Sequence, residues 1–177
     1  NPDLEAESLE DYLGELPAHF ERWPLEKRYK AVHVARVLPC NWKVGQEAFM
    51  EAYHVLSTHP QLLAGIGDSN SQYDVWGNVS RAITPNGTPS PHLEWEPSEQ
   101  DGLDAVTNRY LDEDPAMVLP EAMTGRQLLG QASRVQLAPL VPGAFELTDA
   151  ELLDSFYYTV FPNFHPWGAY NRITYRF

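Results

Sequence analysis

The sequence predicts an α+β fold in which helices cover one side of an antiparallel sheet. Two observations favour this class: strand-like segments stand both before and after the helical ones, and strands and helices do not alternate regularly. No segment repeats along the chain, which argues against a solenoid or a propeller. With 177 residues the chain is long enough for one domain with a hydrophobic core, so we expect a single unit over residues 1–177.

The first elements are predicted from hydrophobic periodicity and from capping residues. An acidic cluster indicates a short helix over residues 8–15, and Ala31 to Leu38 is predicted as a strand. Pro39 and the potential cap Asn41 then precede the strongest helix, which is predicted from Trp42 to about Ser57.

The later elements follow from the same signals. Alternation predicts a strand from Gln72 to Ile83, and four prolines between Thr84 and Gly102 predict a long irregular excursion. A mostly helical region, broken by a proline, is predicted from Ala116 to Val135. Ser155 to Phe161 is predicted as a strand, and so is Tyr170 to Phe177.

The two ends of the chain lack the signs of natural termini. The last predicted strand stops on an aromatic residue, and the chain opens at Asn1-Pro2-Asp3 without an initiator methionine. A natural terminus more often frays into polar residues. We therefore expect residues 1–177 to be an internal piece of a longer protein.

Charge and composition exclude several classes of protein. The chain has 12 Lys and Arg against 25 Asp and Glu, a net charge of −13, so nucleic acid and anionic membranes are repelled. The hydrophobic fraction of 43% excludes a disordered acidic tail, and no apolar run has the ~18 residues of a membrane span.

The single cysteine, Cys40, bears on redox chemistry and compartment. One cysteine cannot form an internal disulfide or a thiolate-rich zinc or iron–sulfur site. A reducing compartment, the cytoplasm, is therefore the expected location.

Two apolar stripes run along the predicted helix after Asn41. One consists of Phe49, Ala52, Tyr53 and Leu56, and the other of Val44, Ala48, Glu51 and Val55. Glu51 and His54 are i, i+3 neighbours, so an acid and an imidazole share a largely apolar surrounding. Burial of that acid requires a partner.

His54 and His59 are the candidate metal ligands. On a straight helix they would be separated by about 140° around the axis, but Pro60 disfavours the helical conformation at His59 and should turn it aside. Two converging imidazoles suit iron, zinc, copper or nickel, and an added carboxylate completes the site of non-heme Fe(II) oxygenases. The alternative is a hydrogen-bonded core histidine followed by a helix stop.

This stretch resembles the iron-binding segment of Rieske-type aromatic-ring-hydroxylating oxygenases. The resemblance rests on Asn41-Trp42-Lys43 followed by Glu51-x-Tyr53-His54-x4-His59-Pro60. Shorter stretches at residues 1–14, 72–81, 161–163 and 175–177 also look like parts of the α-subunit catalytic domain of that family.

The resemblance implies a helix-grip, Bet v 1/START-like fold, with a curved antiparallel sheet and a long helix around a cavity above a mononuclear Fe(II). His54 and His59 match the histidine ligands, and Phe49 and Val55 match positions that line the pocket. Glu51 stands where the family places an acid, commonly Asp, that passes electrons to the iron from a Rieske histidine of the neighbouring subunit.

Other parts of the system implied by the resemblance lie outside this chain. An aspartate ligand is expected downstream and a Rieske [2Fe-2S] domain upstream. The implied electron source is NADH through a ferredoxin or reductase, and the implied assembly is a homotrimer or an α3β3 oligomer. O2 would dihydroxylate or hydroxylate an aromatic substrate, with oxidative demethylation as the nearest variant.

Two rival functions stay open at this point. A zinc hydrolase would use Glu51 as general base, although the order Glu-x2-His-x4-His does not match the usual zinc-hydrolase helix. A metal-free module of the same fold would bind a hydrophobic ligand.

The remaining candidates are interpreted as structural. Asp74, Asp149 and Asp154 are expected to be exposed turn or cap acids, and residues 165–168 an aromatic loop packed on the sheet. The histidines expected at the surface or in a strand are His19, His33 and His92.

Overall fold

A three-stranded antiparallel sheet forms the centre of the structure. The computed structural model describes residues 3–107, 117–168 and 172–177. In this part of the chain the strands β1 (Gln72–Trp76), β2 (Val79–Thr84) and β3 (Ser155–Val160) lie in the order β1-β2-β3. The prediction of an α+β fold is confirmed.

The segment predicted as one strand from Gln72 to Ile83 is instead a hairpin of β1 and β2. The turn falls at Gly77, whose φ of 50° is accessible to glycine at little cost. The hairpin places Trp76 opposite Val79 and Asp74 opposite Arg81. The prediction was wrong because alternation continues across a two-residue turn without a visible interruption.

A second, two-stranded sheet lies beside β3. It consists of β4 (His165–Pro166) and β5 (Thr174–Tyr175), and bridges from Phe164 and Trp167 connect its first strand to β3. The predicted last strand is thus confirmed only in part, at Thr174–Tyr175, while its first two residues lie outside the described ranges.

The helices are short. Their bounds are α1 Leu9–Leu13, α2 Leu16–His19, α3 Trp42–Met50, α4 Val55–Thr58, α5 Glu99–Val106, α6 Gly125–Leu137 and α7 Asp149–Leu153. The nine-residue α3 packs on β3, whereas α6, the longest helix in the described part of the chain, packs on α5 and α7. No helix among the described residues has the length and apolarity needed to cross a membrane.

The predicted strand from Ala31 to Leu38 does not form. The segment is extended and exposed, with Val32 at 76% and Val37 at 98% relative exposure, and no described strand pairs with it. Alternating apolar residues alone do not make a strand, because its backbone hydrogen bonds require a neighbour.

Capping residues correct two further boundaries. The excursion predicted to Gly102 ends earlier, since Ser98 and Asp101 form a capping box that starts α5. The helical region predicted from Ala116 starts only at Gly125, after the capping box of Thr124 and Gln127, and Ala116 itself lies outside the described residues. Both Ser/Thr-x-x-Asp/Gln patterns are present in the sequence.

Helices cover both faces of the sheet rather than one. Successive residues of a strand point to opposite faces. Tyr158 faces α2 and packs on Phe20 in a core cluster completed by Leu16, Trp23, Val79 and Val160. Tyr157 faces the other way, towards Phe49 of α3. The pocket described next lies on that second face.

Candidate metal centre

Asn41 starts the helix that carries the candidate site. Its side-chain oxygen accepts a hydrogen bond from the backbone N–H of Lys43 at 2.9 Å, as the sequence predicts for an N-cap. The helix ends at Met50, seven residues before the predicted end at Ser57, because Glu51 has an extended backbone with φ −133° and ψ 161°.

The Glu51 carboxylate makes the break in the helix stable. One oxygen, Oε2, accepts from the backbone N–H of His54 at 3.0 Å, and the other, Oε1, lies 2.5 Å from His54 Nδ1. The chain then forms the short helix α4. The break disrupts the predicted stripe of Phe49, Ala52, Tyr53 and Leu56: Ala52 is buried, whereas Tyr53 is 76% exposed. In the other stripe Val55 is buried and Val44 is exposed.

The two histidine rings converge. His59 leaves the helical conformation just before Pro60, at φ −130° and ψ 49°, and its ring centroid lies 5.4 Å from that of His54. Both rings line one pocket together with Glu51. The structure thus brings together the two histidines that the sequence singled out.

Glu51 determines which nitrogen of His54 is available. A carboxylate only accepts, so Nδ1 of His54 donates in the 2.5 Å contact, and in the neutral ring Nε2 is then the nitrogen with the lone pair. Histidines that bind metals commonly have this arrangement, in which the second nitrogen donates to a carboxylate. The Glu51 side chain is only 14% exposed, so the protein holds it in place.

The pocket lies between α3–α4 and the strands β2–β3. It has a volume of about 470 Å³, which suits an organic ligand. The expected lining residues Phe49 and Val55 both border it. The lining residues that sequence reasoning missed come from elsewhere in the chain: Ile66, Ala82, Thr84, Asn86, Ser155, Tyr157 and Trp167.

The aromatic wall of the pocket is part of a larger cluster of rings. Tyr157 packs edge-on to Trp167 at 4.9 Å and stacks on His165 at 5.7 Å. Residues 165–168 do pack on the sheet, as expected, but Trp167 also borders the pocket. The aromatic motif was the one sequence signal for this wall.

Burial sets the protonation of two groups in this wall. Burial raises the pKa of the Tyr157 phenol far above its usual range and lowers the pKa of His165 to about 4. Both side chains are therefore neutral near pH 7. His165 is fully buried, with Nδ1 3.2 Å from the hydroxyl of Thr159.

The three aspartates that the sequence analysis interpreted as turn or cap acids are all paired with arginines. Asp74 binds Arg81 and Asp149 binds Arg134, at 2.6 and 2.7 Å. Asp154 binds Arg126 at 2.6 Å, and the expectation that it is exposed was wrong: only 7% of the residue is accessible. Asp74 also differs from the expectation, since it lies within strand β1 rather than in a turn.

The other histidines are placed apart from the site. His33 is exposed, His92 contacts Asp68 at 3.2 Å, and His19 lies between the rings of Trp76 and Tyr158. Burial lowers the pKa of His19.

The described residues supply only part of the ligand set of an iron ion. Two imidazoles in one pocket are suitable nitrogen ligands. Within residues 3–107, 117–168 and 172–177 there is no group of three or more His, Cys, Asp or Glu side chains arranged to hold a metal. The paired aspartates and the bond from Glu51 to His54 agree with that finding.

The fold and the pocket define an α+β domain with two histidines on the wall of an aromatic-lined cavity. The family model described as "Ring hydroxylating alpha subunit (catalytic domain)" matches residues 15–166, and the chain belongs to this family. The comparisons with curated proteins and with solved structures found no match. The protein is thus an oxygenase of the ring-hydroxylating type, and the resemblance stated from the sequence is confirmed.

Proposed function

We propose that this chain is part of a terminal oxygenase that uses O2 and a mononuclear Fe(II) to dihydroxylate or hydroxylate an aromatic substrate. Family membership supports aromatic-ring hydroxylation by an oxidoreductase. The observation that carries the proposal is the convergence of His54 and His59 at 5.4 Å on the wall of the pocket.

In this proposal His54 and His59 hold the iron through ring nitrogens. When bound, Fe(II) supplies the activation of O2. Glu51 keeps Nε2 of His54 free of hydrogen by accepting the hydrogen of Nδ1, and it fixes the orientation of the ring. Phe49 and Val55 contribute apolar surface that positions the substrate and excludes water.

We place the remaining parts of the system outside residues 1–177. One cysteine cannot hold a Rieske [2Fe-2S] cluster, and the described residues offer no set of three ligands. An upstream Rieske domain of the neighbouring subunit would deliver electrons from NADH, through a ferredoxin or reductase, to Glu51 and the iron. We also propose a homotrimeric or α3β3 assembly in the cytoplasm, where an exposed free thiol such as Cys40 stays reduced.

Iron retention tests the ligand assignment. In the complete protein, His54→Ala and His59→Ala should each abolish iron retention and O2-dependent turnover, because one remaining imidazole binds the ion poorly. The matched control is His33→Ala, since His33 is exposed and remote in the sequence from the pocket motif. Metal analysis and circular dichroism measure the outcome.

The outcomes separate the rival functions. Folded variants that keep their iron would overturn the ligand assignment. Zinc in the wild-type protein would favour the hydrolase. Absence of any metal would favour a binding module of the same fold, which the apolar pocket and the lack of a third described ligand also support. Product analysis then distinguishes dihydroxylation, hydroxylation and oxidative demethylation.

A further inference from the structure

The wall of the pocket that the sheet forms is polar at one end. Thr84, the last residue of β2, pairs with Ser155, the first residue of β3, and Asn86 stands two residues after Thr84. All three residues line the pocket, whereas the lining further along the sheet consists of Ala82, Tyr157 and Trp167. On this wall, opposite the helices that carry His54 and His59, a ligand therefore meets polar groups at one end.

Asn86 is the most firmly held of the three. Its backbone N–H donates to Asp154 Oδ1 at 3.2 Å, and its backbone carbonyl accepts from Arg126. Its side-chain Nδ2 donates to the carbonyl of Leu153 at 2.6 Å. Because a carbonyl only accepts, this last contact assigns the nitrogen to Leu153 and leaves Oδ1 on the other side of the amide.

The side-chain oxygen of Asn86 is the group left for a ligand. No described residue donates to Oδ1, and Oδ1 is not among the polar atoms that the protein encloses without a partner. The residue is only 2% exposed, so the open space that Oδ1 reaches is that of the pocket. An immobilised acceptor of this kind favours a ligand that carries a donor.

The neighbouring polar groups do not compete for this role. The hydroxyl of Thr84 is bound to Ser71 at 2.8 Å, and Ser155 Oγ lies 3.4 Å from Asn86 Nδ2. The phenolic oxygen of Tyr157 and the indole nitrogen of Trp167 are enclosed by protein and out of reach of a ligand.

We infer that the substrate is an aromatic molecule with a hydroxyl or N–H donor, and that Asn86 selects it through its side-chain carbonyl. Phe49, Tyr157 and Trp167 supply the surface for the ring. The inference deepens the proposed function and rests on it for the chemistry, but the binding preference does not depend on iron.

Calorimetric titration of the complete protein with two near-isosteres tests the preference. We expect 2-naphthol to bind about fivefold more tightly than 2-methylnaphthalene, the equivalent of about one net hydrogen bond. In Asn86→Leu the order of 2-naphthol and 2-methylnaphthalene should reverse, because the hydroxyl is then buried without a partner.

A control variant keeps the test decisive. Asn78→Leu, at the exposed turn between β1 and β2, should leave the preference for 2-naphthol unchanged. If the wild-type protein binds 2-naphthol no more tightly than 2-methylnaphthalene, the inference is overturned, whether or not Asn86→Leu folds. Iron retention in the histidine variants bears only on the proposed function, so the two failures are distinguishable.

Discussion

Glu51 has two roles that an i, i+3 pattern on a continuous helix does not show. It ends α3 with an extended backbone, and its carboxylate holds both the backbone N–H and the ring Nδ1 of His54. The sequence indicated that a half-buried acid needed a partner, and His54 is that partner. Glu51 is thus a positioning residue for His54 in addition to its proposed part in electron delivery.

Substitution of Glu51 separates these roles. In the complete protein, Glu51→Gln keeps an acceptor for His54 and should retain iron, but reoxidation of the Rieske centre should slow because the negative charge is lost. Glu51→Ala removes the acceptor, and iron affinity should fall about 10- to 100-fold. Metal titration and stopped-flow absorbance measure the two effects. Wild-type iron affinity in Glu51→Ala would refute the positioning role, and an unchanged reoxidation rate in Glu51→Gln would refute the electron role.

At the scale of elements, the signals that were readable in the sequence are local ones. The Asn41 cap and the effect of Pro60 on His59 depend on immediate neighbours and are present as predicted. The break at Glu51 and the single strand between Gln72 and Ile83 were misjudged, since apolar periodicity continues across both. Periodicity describes which residues are apolar and does not report where the chain turns.

Gly65 is a close contact between elements that the sequence does not reveal. A Cβ atom there would lie 2.5 Å from the carbonyl oxygen of Gly102 and 2.6 Å from Val106, both in α5. The adjacent Ile66 forms a bridge to Asn86, so this packing also supports the polar end of the pocket.

We expect Gly65→Ala to lower the free energy of unfolding by about 1–3 kcal/mol, because the backbone of α5 must shift. The matched control is Gly45→Ala inside α3, where the Cβ meets side-chain atoms, the Phe177 ring at 3.3 Å and Cys40 Sγ at 3.8 Å, and the helix gains about 0.5–1 kcal/mol. Urea denaturation of both variants gives the comparison. A neutral Gly65→Ala would show that α5 is not packed closely against this turn.

At the scale of the whole molecule, the sheet separates a core from a pocket. Tyr158 and Tyr157 are adjacent in β3, yet one packs with Phe20 in the core and the other lines the pocket. A helix from a different part of the chain covers each face of the sheet. The expectation that helices cover only one side was therefore wrong. Covering both faces is what leaves space for a ligand between α3–α4 and the strands.

His165 makes the stability of the molecule depend on pH. Burial lowers its pKa from 6.5 to about 4, so the unfolded chain binds a proton more readily than the folded one between these values. The contribution of neutral His165 to the free energy of unfolding is fully present above pH 6.5. It should fall by up to about 3 kcal/mol as the pH drops to 4. Urea denaturation across this range should show a smaller loss in His165→Phe and an unchanged loss in His33→Ala. The same slope in His165→Phe would assign the pH dependence to other groups.

The sequence by itself determined the family and indicated the two histidines that meet at the pocket, since both depend on residues close in the chain. Only the tertiary structure decided the rest of the pocket. Asn86, Ser155, Tyr157 and Trp167 join His54 from up to about a hundred residues away, through strand pairing and loop contacts. The packing of the elements determines which distant residues line the same wall of the pocket. Local sequence patterns do not contain information about that packing.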